Sequence, residues 1–203
     1  MNQHADPTLA RELKQGTVAQ KVDALFGYME KNGQSYYDEA VTQLEHALQC
    51  ANQARLAKAD AITTTAALLH DLGHFLVDEH NEESDFLSED FLHETVGADY
   101  LEPFFPSAVI EPVKLHVPAK RYICTTDAMY YDTLSKASKH SFQLQGGFMS
   151  ETERTAFEQN ECFRAAVQVR KWDDLAKVKN LAIPGLPEYR DAVASCLTIN
   201  DPD

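Results

Sequence analysis

Positive charge is scarce in this sequence, and paired cysteines are missing from it. Against 32 Asp and Glu stand 18 Lys and Arg, a formal charge of −14. That balance excludes a role built on the phosphate backbone of a nucleic acid. It leaves room for a small anionic substrate, because Lys114, Lys120, Arg121, Lys136, Lys139, Arg164, Arg170 and Lys171 lie in the second half and can create a local positive field. Cys50, Cys124, Cys162 and Cys196 are widely spaced and form no CxxC pair. In a chain of 203 residues they read as free thiols in a reducing compartment. No apolar run approaches about 18 residues, so no spanning helix is expected. The start, Met1-Asn-Gln-His-Ala-Asp-Pro7, lacks the basic and apolar parts of a signal peptide. The expectation is a cytoplasmic protein with neither membrane nor nucleic acid as partner. Alternating strand patterns, internal repeats and low-complexity tracts are also lacking.

What is present is helical periodicity. Val18, Val22, Leu25, Phe26 and Met29 repeat at helical spacing, and Gly33 suits the stop. Val41, Leu44, Leu48 and Ala51 form a second stripe, in a helix expected from Tyr36 to about Lys58. Asp60 suits the cap of a helix that would carry His70 and Asp71, and Gly73 permits a turn or a close approach. Residues 77–89 read as an acidic loop, and Asp90 to Leu101 as another helix, closed by Pro103 and Pro106. Pro112 can open a short helix that Pro118 interrupts. Thr126 to His140 is a further helix, separated by Gly146-Gly147 from a long one. The capping box Ser150-Glu-Thr-Glu153 opens that long helix, which runs to about Trp172. Pro187 suits the first position of a last helix ending near Leu197. Residues 1–15 are polar and expected to be flexible, although Thr8-Leu-Ala-Arg11 can begin a helical turn. The reading is all-α, about eight helices in one bundle-like domain over residues 16–203.

Of eight histidines, five fall on expected helices beside apolar residues: His46, His70, His74, His93 and His116. Polar side chains in such surroundings need hydrogen-bond partners or a metal. Together with Asp71 and the pair Asp173-Asp174, they point to a metal site in the bundle core. Imidazole with carboxylate suits iron, zinc or manganese and does not choose among them. On helical spacing His74 shares a face with His70 and reads as a co-ligand. A carboxylate has two oxygens, so Asp71 can bridge two ions.

The order His46…His70-Asp71…Asp173 resembles the HD-domain superfamily of metal-dependent phosphohydrolases and related enzymes, and His93 with His116 resembles its dinuclear branch. The segment at 36–49, Ala67-Leu-Leu-His-Asp-Leu-Gly-His74, His116-Val-Pro-Ala-Lys120, Leu134-Ser-Lys-Ala-Ser-Lys-His-Ser141, Gln145-Gly-Gly147 and Val169-Arg-Lys-Trp-Asp-Asp174 resemble a narrower group. That group is the small HD-type mixed-valent diiron oxygenases that cleave the carbon–phosphorus bond of 1-hydroxyphosphonates. The chain is similar, more distantly, to the inositol-cleaving oxygenase. The resemblance runs from about residue 18 to about residue 197.

The resemblance implies an HD-domain fold, two iron ions as an Fe2+/Fe3+ pair, and O2 as co-substrate. His46, His70, Asp71 and Asp173 would hold one ion, with Asp71 bridging to a second held by His93 and His116. Tyr36 resembles a tyrosine that occupies an iron position until substrate arrives, and Glu39 resembles its partner. His74, Lys120, Ser138, Ser141 and Arg170 resemble the group that holds the phosphonate, where cations neutralise the dianion and hydroxyls donate. In this reading His74 faces substrate instead of metal. Tyr36, Glu39 and His74 form the catalytic set beside the metals.

The implied substrate is a small zwitterionic hydroxyphosphonate supplied by an α-hydroxylase. Asp38 stands where aminophosphonate-specific relatives are expected to carry a small residue. With Glu39 and the rings of Tyr36, Tyr37, Tyr130 and Tyr131, it suits a quaternary ammonium. The expectation leans to (R)-1-hydroxy-2-(trimethylammonio)ethylphosphonate, giving phosphate and glycine betaine, over 2-amino-1-hydroxyethylphosphonate, giving phosphate and glycine. Two alternatives stand beside it: an HD phosphohydrolase acting on a nucleotide or small phosphomonoester, and a non-catalytic HD-like binding domain.

Overall fold

The computed structural model describes residues 7–36, 41–76 and 92–198. Among them are twelve α-helices and one short 3-10 helix, more than the eight expected. The expected all-α architecture holds: the one β-type contact is an isolated bridge between Tyr36 and Thr42. No helix among the described residues is long and apolar enough to cross a membrane. The four cysteines are free thiols, as expected.

The polar start departs from expectation. Residues expected to be loose form α1 (Pro7–Gln15), because Leu9 and Leu13 lie one turn apart and bury against α2 (Val18–Asn32). α2 opens on a Thr17–Gln20 capping box and stops at Gly33. α3 (Gln43–Leu56) begins later than its apolar stripe suggested. The Thr42–Glu45 capping box starts it. Asp60 caps α4 (Ala61–Leu69) by accepting from the Thr63 amide, as expected.

α4 ends one residue before the His-Asp pair. His70 and Asp71 occupy a turn, and α5 (Leu72–Leu76) carries His74. The expectation of one helix through Asp71 is therefore corrected. The Ala67 carbonyl, which would serve the next helical turn, accepts from the His70 ring at 2.9 Å. α6 (His93–Leu101) follows from Leu92 in a left-handed conformation.

α7 (Ser107–Thr126) is the largest correction: a single helix of 20 residues that passes through Pro112 and Pro118. Each proline removes one backbone bond at about 3 kcal/mol. Val109, Val113, Val117 and Ile123 are buried on the face packed against α4, α6 and α11 (Phe163–Leu175), and that burial outweighs the loss. The helix expected over 126–140 is two: α8 (Ala128–Thr133) and α9 (Lys136–Leu144), with Ser135 capping the second. The long helix opened by Ser150 is also divided, into α10 (Glu151–Glu158) and α11, at an Asn160 turn. Pro187 sits in the 3-10 turn Leu186–Tyr189 that leads into α12 (Arg190–Cys196).

The main core lies among α2, α3, α4, α7, α11 and α12. Two satellite clusters sit beside it: Ala119, Met149, Phe157 and Ala166, and Cys124, Leu134 and Phe142. The acidic loop expected at 77–89, and Tyr37, Asp38, Glu39 and His80, lie outside the described residues.

Candidate metal centre

Three helices and one turn deliver imidazoles to one site. His46 comes from α3, His70 from the turn after α4, His93 from the start of α6 and His116 from the middle of α7. All four are buried. His46 Nδ1 lies 2.8 Å from the Ala176 carbonyl, His70 Nδ1 2.9 Å from that of Ala67, and His116 Nδ1 2.7 Å from that of Val113. A carbonyl only accepts, so each Nδ1 carries a proton and Nε2 is the ring atom left to meet a metal.

These ring atoms converge. His46 Nε2 and His70 Nε2 are 3.2 Å apart, as are His93 Nε2 and His116 Nε2. Asp71 stands between the pairs. Its Oδ2 lies 3.2 Å from His46 Nε2 and 3.3 Å from His70 Nε2, and its Oδ1 lies 3.5 Å from His93 Nε2 and 3.3 Å from His116 Nε2. Asp173, near the end of α11, closes the first group with Oδ1 at 3.3 Å from His46 Nε2.

Two carboxylate oxygens here lack a hydrogen-bond donor, although Lys177 Nζ stands 4.0 Å from one of them, Asp173 Oδ1. Asp71 Oδ2 and Asp173 Oδ1 are buried and have no hydrogen-bond partner. A buried carboxylate oxygen in that condition is costly unless a cation meets it. Ligands about 2.1 Å from a common ion stand roughly 3.0–3.4 Å apart, which these spacings match. The residues therefore fit a pair of metal ions, one on each oxygen of Asp71. His46, His70 and Asp173 form one group of ligand atoms within reach of a common ion, and Asp71, His74 and His93 another.

The second group can be drawn in two ways. His74 stacks on His93 with ring centroids 3.9 Å apart and planes 17° apart. His116, however, has its Nε2 within 3.3 Å of Asp71 Oδ1 and its Nδ1 held by a carbonyl. The carbonyl contact orients His116 Nε2 toward Asp71, so His116 and His74 are both placed to join Asp71 and His93 around a second ion.

Electrostatics agree with a cation site. For His46, burial disfavours the charged ring, but Asp173 and Asp71 outweigh it and raise its pKa. For His93, burial and then the neighbouring His74 push the pKa down to about 3, which keeps that ring neutral and able to ligate. Burial opposes ionisation of Asp71, yet His70 and the other facing rings hold its pKa well below the usual range.

One side of the centre is basic. Lys120, four residues past His116 on α7, is 4% exposed and donates to Ser141 Oγ at 3.1 Å. Burial, and after it the nearby Arg170, lower its pKa to about 8. Arg170, one turn before Asp173, donates to Asp173 Oδ2 at 2.5 Å and also to Asp174. Ser138 is turned aside: its hydroxyl accepts from Ser135 Oγ at 3.0 Å at the start of α9. Tyr36 is 66% exposed, in the bridge with Thr42, and its neighbours Asp38 and Glu39 lie outside the described residues.

One participant escaped the sequence reading, and another was read in a different role. Glu94 is buried with Oε2 3.6 Å from His93 Nδ1, where the other three rings meet carbonyls. Its adjacency to His93 was the available signal. Tyr130, expected as an aromatic face for a quaternary ammonium, instead binds Arg170 and Asp174 from 40 and 44 residues away.

Comparison with known proteins adds an independent finding. Residues 44–129 match the model of the HD domain. The chain is 56% identical to the hydroxymethylphosphonate dioxygenase of Gimesia maris, over 89% of this chain and 90% of the relative. It is 38% identical to the glycine-betaine-forming [1-hydroxy-2-(trimethylamino)ethyl]phosphonate dioxygenase of Leisingera caerulea, over 85% of this chain and 87% of the relative.

Proposed function

The chain belongs to the HD-domain superfamily, among the diiron-type oxygenases that cleave the carbon–phosphorus bond of hydroxyphosphonates, and from that membership we propose hydroxymethylphosphonate as its substrate. The observation that carries this choice is the 56% identity to the Gimesia maris enzyme, against 38% to the enzyme that takes the trimethylated compound. It takes precedence over the lean that Asp38 suggested, since a one-carbon substrate has no ammonium for Asp38 or Glu39 to meet.

The reaction balances without a further reductant. Hydroxymethylphosphonate and O2 give formate, phosphate and a proton. The carbon–phosphorus bond breaks, the carbon gives up electrons to O2, and carbon and phosphorus each gain one oxygen. Two iron ions held by His46, His70, Asp71 and Asp173 on one side and Asp71, His93 and His116 on the other would supply the electron transfer to O2 and Lewis acidity toward the substrate hydroxyl. The protein's own groups bind and orient. The Lys120 ammonium neutralises the phosphonate, Ser141 donates to it, and Arg170 holds Asp173 in place beside it. His74 faces the substrate next to His93.

The test uses anaerobically purified, iron-loaded protein. It receives hydroxymethylphosphonate or the trimethylammonio compound, then O2, and phosphate, formate and O2 uptake are followed. The expected result is about one phosphate and one formate per O2, with kcat/KM at least about tenfold lower for the trimethylated compound, a difference of about 1.4 kcal/mol. A preference for the trimethylated compound would restore the substrate suggested by Asp38. Turnover of phosphomonoesters without O2 uptake would overturn the oxygenase reading.

A pH profile tests the anion site separately. In the free protein Lys120 is charged below its pKa of about 8 and loses its proton above it. A neutral amine cannot offset a dianion. Thus kcat/KM is expected to fall about tenfold per pH unit above that point. Lys120→Arg, which stays charged, is expected to remove the fall. A wild-type profile flat to about pH 10 would take Lys120 out of the anion site.

A further inference from the structure

Tyr130 reaches from α8 across to α11. Its hydroxyl donates to Asp174 Oδ2 and accepts from Arg170 Nε at 3.1 Å. The same guanidinium donates to Asp174 Oδ1 and, at 2.5 Å, to Asp173 Oδ2. Arg170 thus links Tyr130 to a carboxylate of the metal centre. Burial raises the pKa of the phenol; Arg170 opposes the rise and Asp174 adds to it. The hydroxyl therefore keeps its proton and remains a donor.

Besides Tyr130, the α8–α9 segment is held by Arg121, which donates to the Gly146 and Gly147 carbonyls, and by the ring cluster of Tyr131, Phe142 and Phe148. α8 buries none of its residues. With α9 it packs on the satellite cluster of Cys124, Leu134 and Phe142, against which Tyr130 and Tyr131 lie, and takes no part in the main core. A segment with so few buried apolar contacts opens at low cost unless polar ties restrain it. It carries Ser141, the partner of Lys120, so its position decides whether the basic pocket is complete.

We propose that Tyr130 and Asp174 are positioning residues, a latch that holds the α8–α9 segment closed over the anion pocket formed by Lys120 and Ser141. The inference rests on the reading of that pocket as the phosphonate site. Its chemistry is a neutral–charged hydrogen-bond pair across two helices, with Arg170 as the shared partner.

The probe is inorganic phosphate, a product of the proposed reaction, titrated calorimetrically into iron-loaded full-length protein. Limited proteolysis between residues 127 and 147 and iron content are measured alongside. Tyr130→Phe keeps the ring and removes the hydroxyl. It is expected to raise the phosphate Kd about tenfold and to speed cleavage in that segment by a similar factor, with iron content unchanged. KM for hydroxymethylphosphonate rises more than kcat falls. Asp174→Ala, which removes the acceptor by another route, gives the same pattern, and Asp174→Asn, which keeps an acceptor oxygen, restores most of the phosphate affinity. Unchanged affinity and cleavage in Tyr130→Phe and Asp174→Ala would overturn the latch. If unaltered protein fails to bind phosphate, the anion-pocket reading falls, and the cleavage comparison still decides the latch.

Discussion

Replacing Asp71 with alanine is expected to lower phosphate release from hydroxymethylphosphonate by at least about a thousandfold, equivalent to about 4 kcal/mol of barrier. The reason is geometric. Asp71 Oδ2 faces His46 and His70, and Oδ1 faces His93 and His116. No other carboxylate among the described residues has both oxygens turned to two histidine pairs. Alanine would therefore take one ligand from each ion of the proposed pair. The check is magnetic: coupling between the two irons, read by Mössbauer or EPR spectroscopy, disappears from the Asp71→Ala protein. Asp71→Asn keeps the side-chain volume and one acceptor oxygen, and is expected to retain iron on one side only. Persistence of the coupled signal in Asp71→Ala would remove the bridging role.

Gly73→Ala is expected to disrupt the same centre without touching a ligand. A Cβ built on Gly73 would lie 1.9 Å from the His93 carbonyl oxygen and 2.6 Å from its carbonyl carbon. Both obstacles are backbone and cannot rotate away. Gly97 completes the contact from the other side, since a Cβ there would lie 2.9 Å from the Gly73 amide nitrogen. The two glycines let α5 and α6 approach closely enough for His93 to reach Asp71. Alanine at 73 forces α6 outward. A loss of about 1–3 kcal/mol or more of stability is expected, seen as a lower Tm, together with loss of iron from the His93–His116 side. Iron content and coupling equal to the unaltered protein would show that α6 can shift without moving His93.

Much of this was legible from local pattern. The six candidate ligands stand out because each is a chemically rare residue in an apolar helical context: His46, His70, Asp71, His93, His116 and Asp173. Caps were legible wherever a side chain three residues away supplies the acceptor, as at Thr17, Asp60 and Ser150. Gly73 was readable as a close approach, though not what it approaches. The prolines misled: read locally, Pro112 and Pro118 divide α7, and only burial against three other helices keeps it whole. The reverse holds at α4, where nothing breaks the apolar run before His70, yet the His70 ring turns back to the Ala67 carbonyl and the helix ends.

By itself the sequence determined the all-α class, the identity of the metal-seeking residues and the family to which the chain belongs, since these depend on residue type and short spacings. Tertiary structure alone decided which oxygen of Asp71 faces which histidine pair, how α5 and α6 meet at Gly73 and Gly97, and that Tyr130 closes on Arg170 and Asp174. The physical reason is separation along the chain. Periodicity and capping act over three or four residues, whereas these contacts join helices through groups about 20 to 45 residues apart and form only when the helices pack.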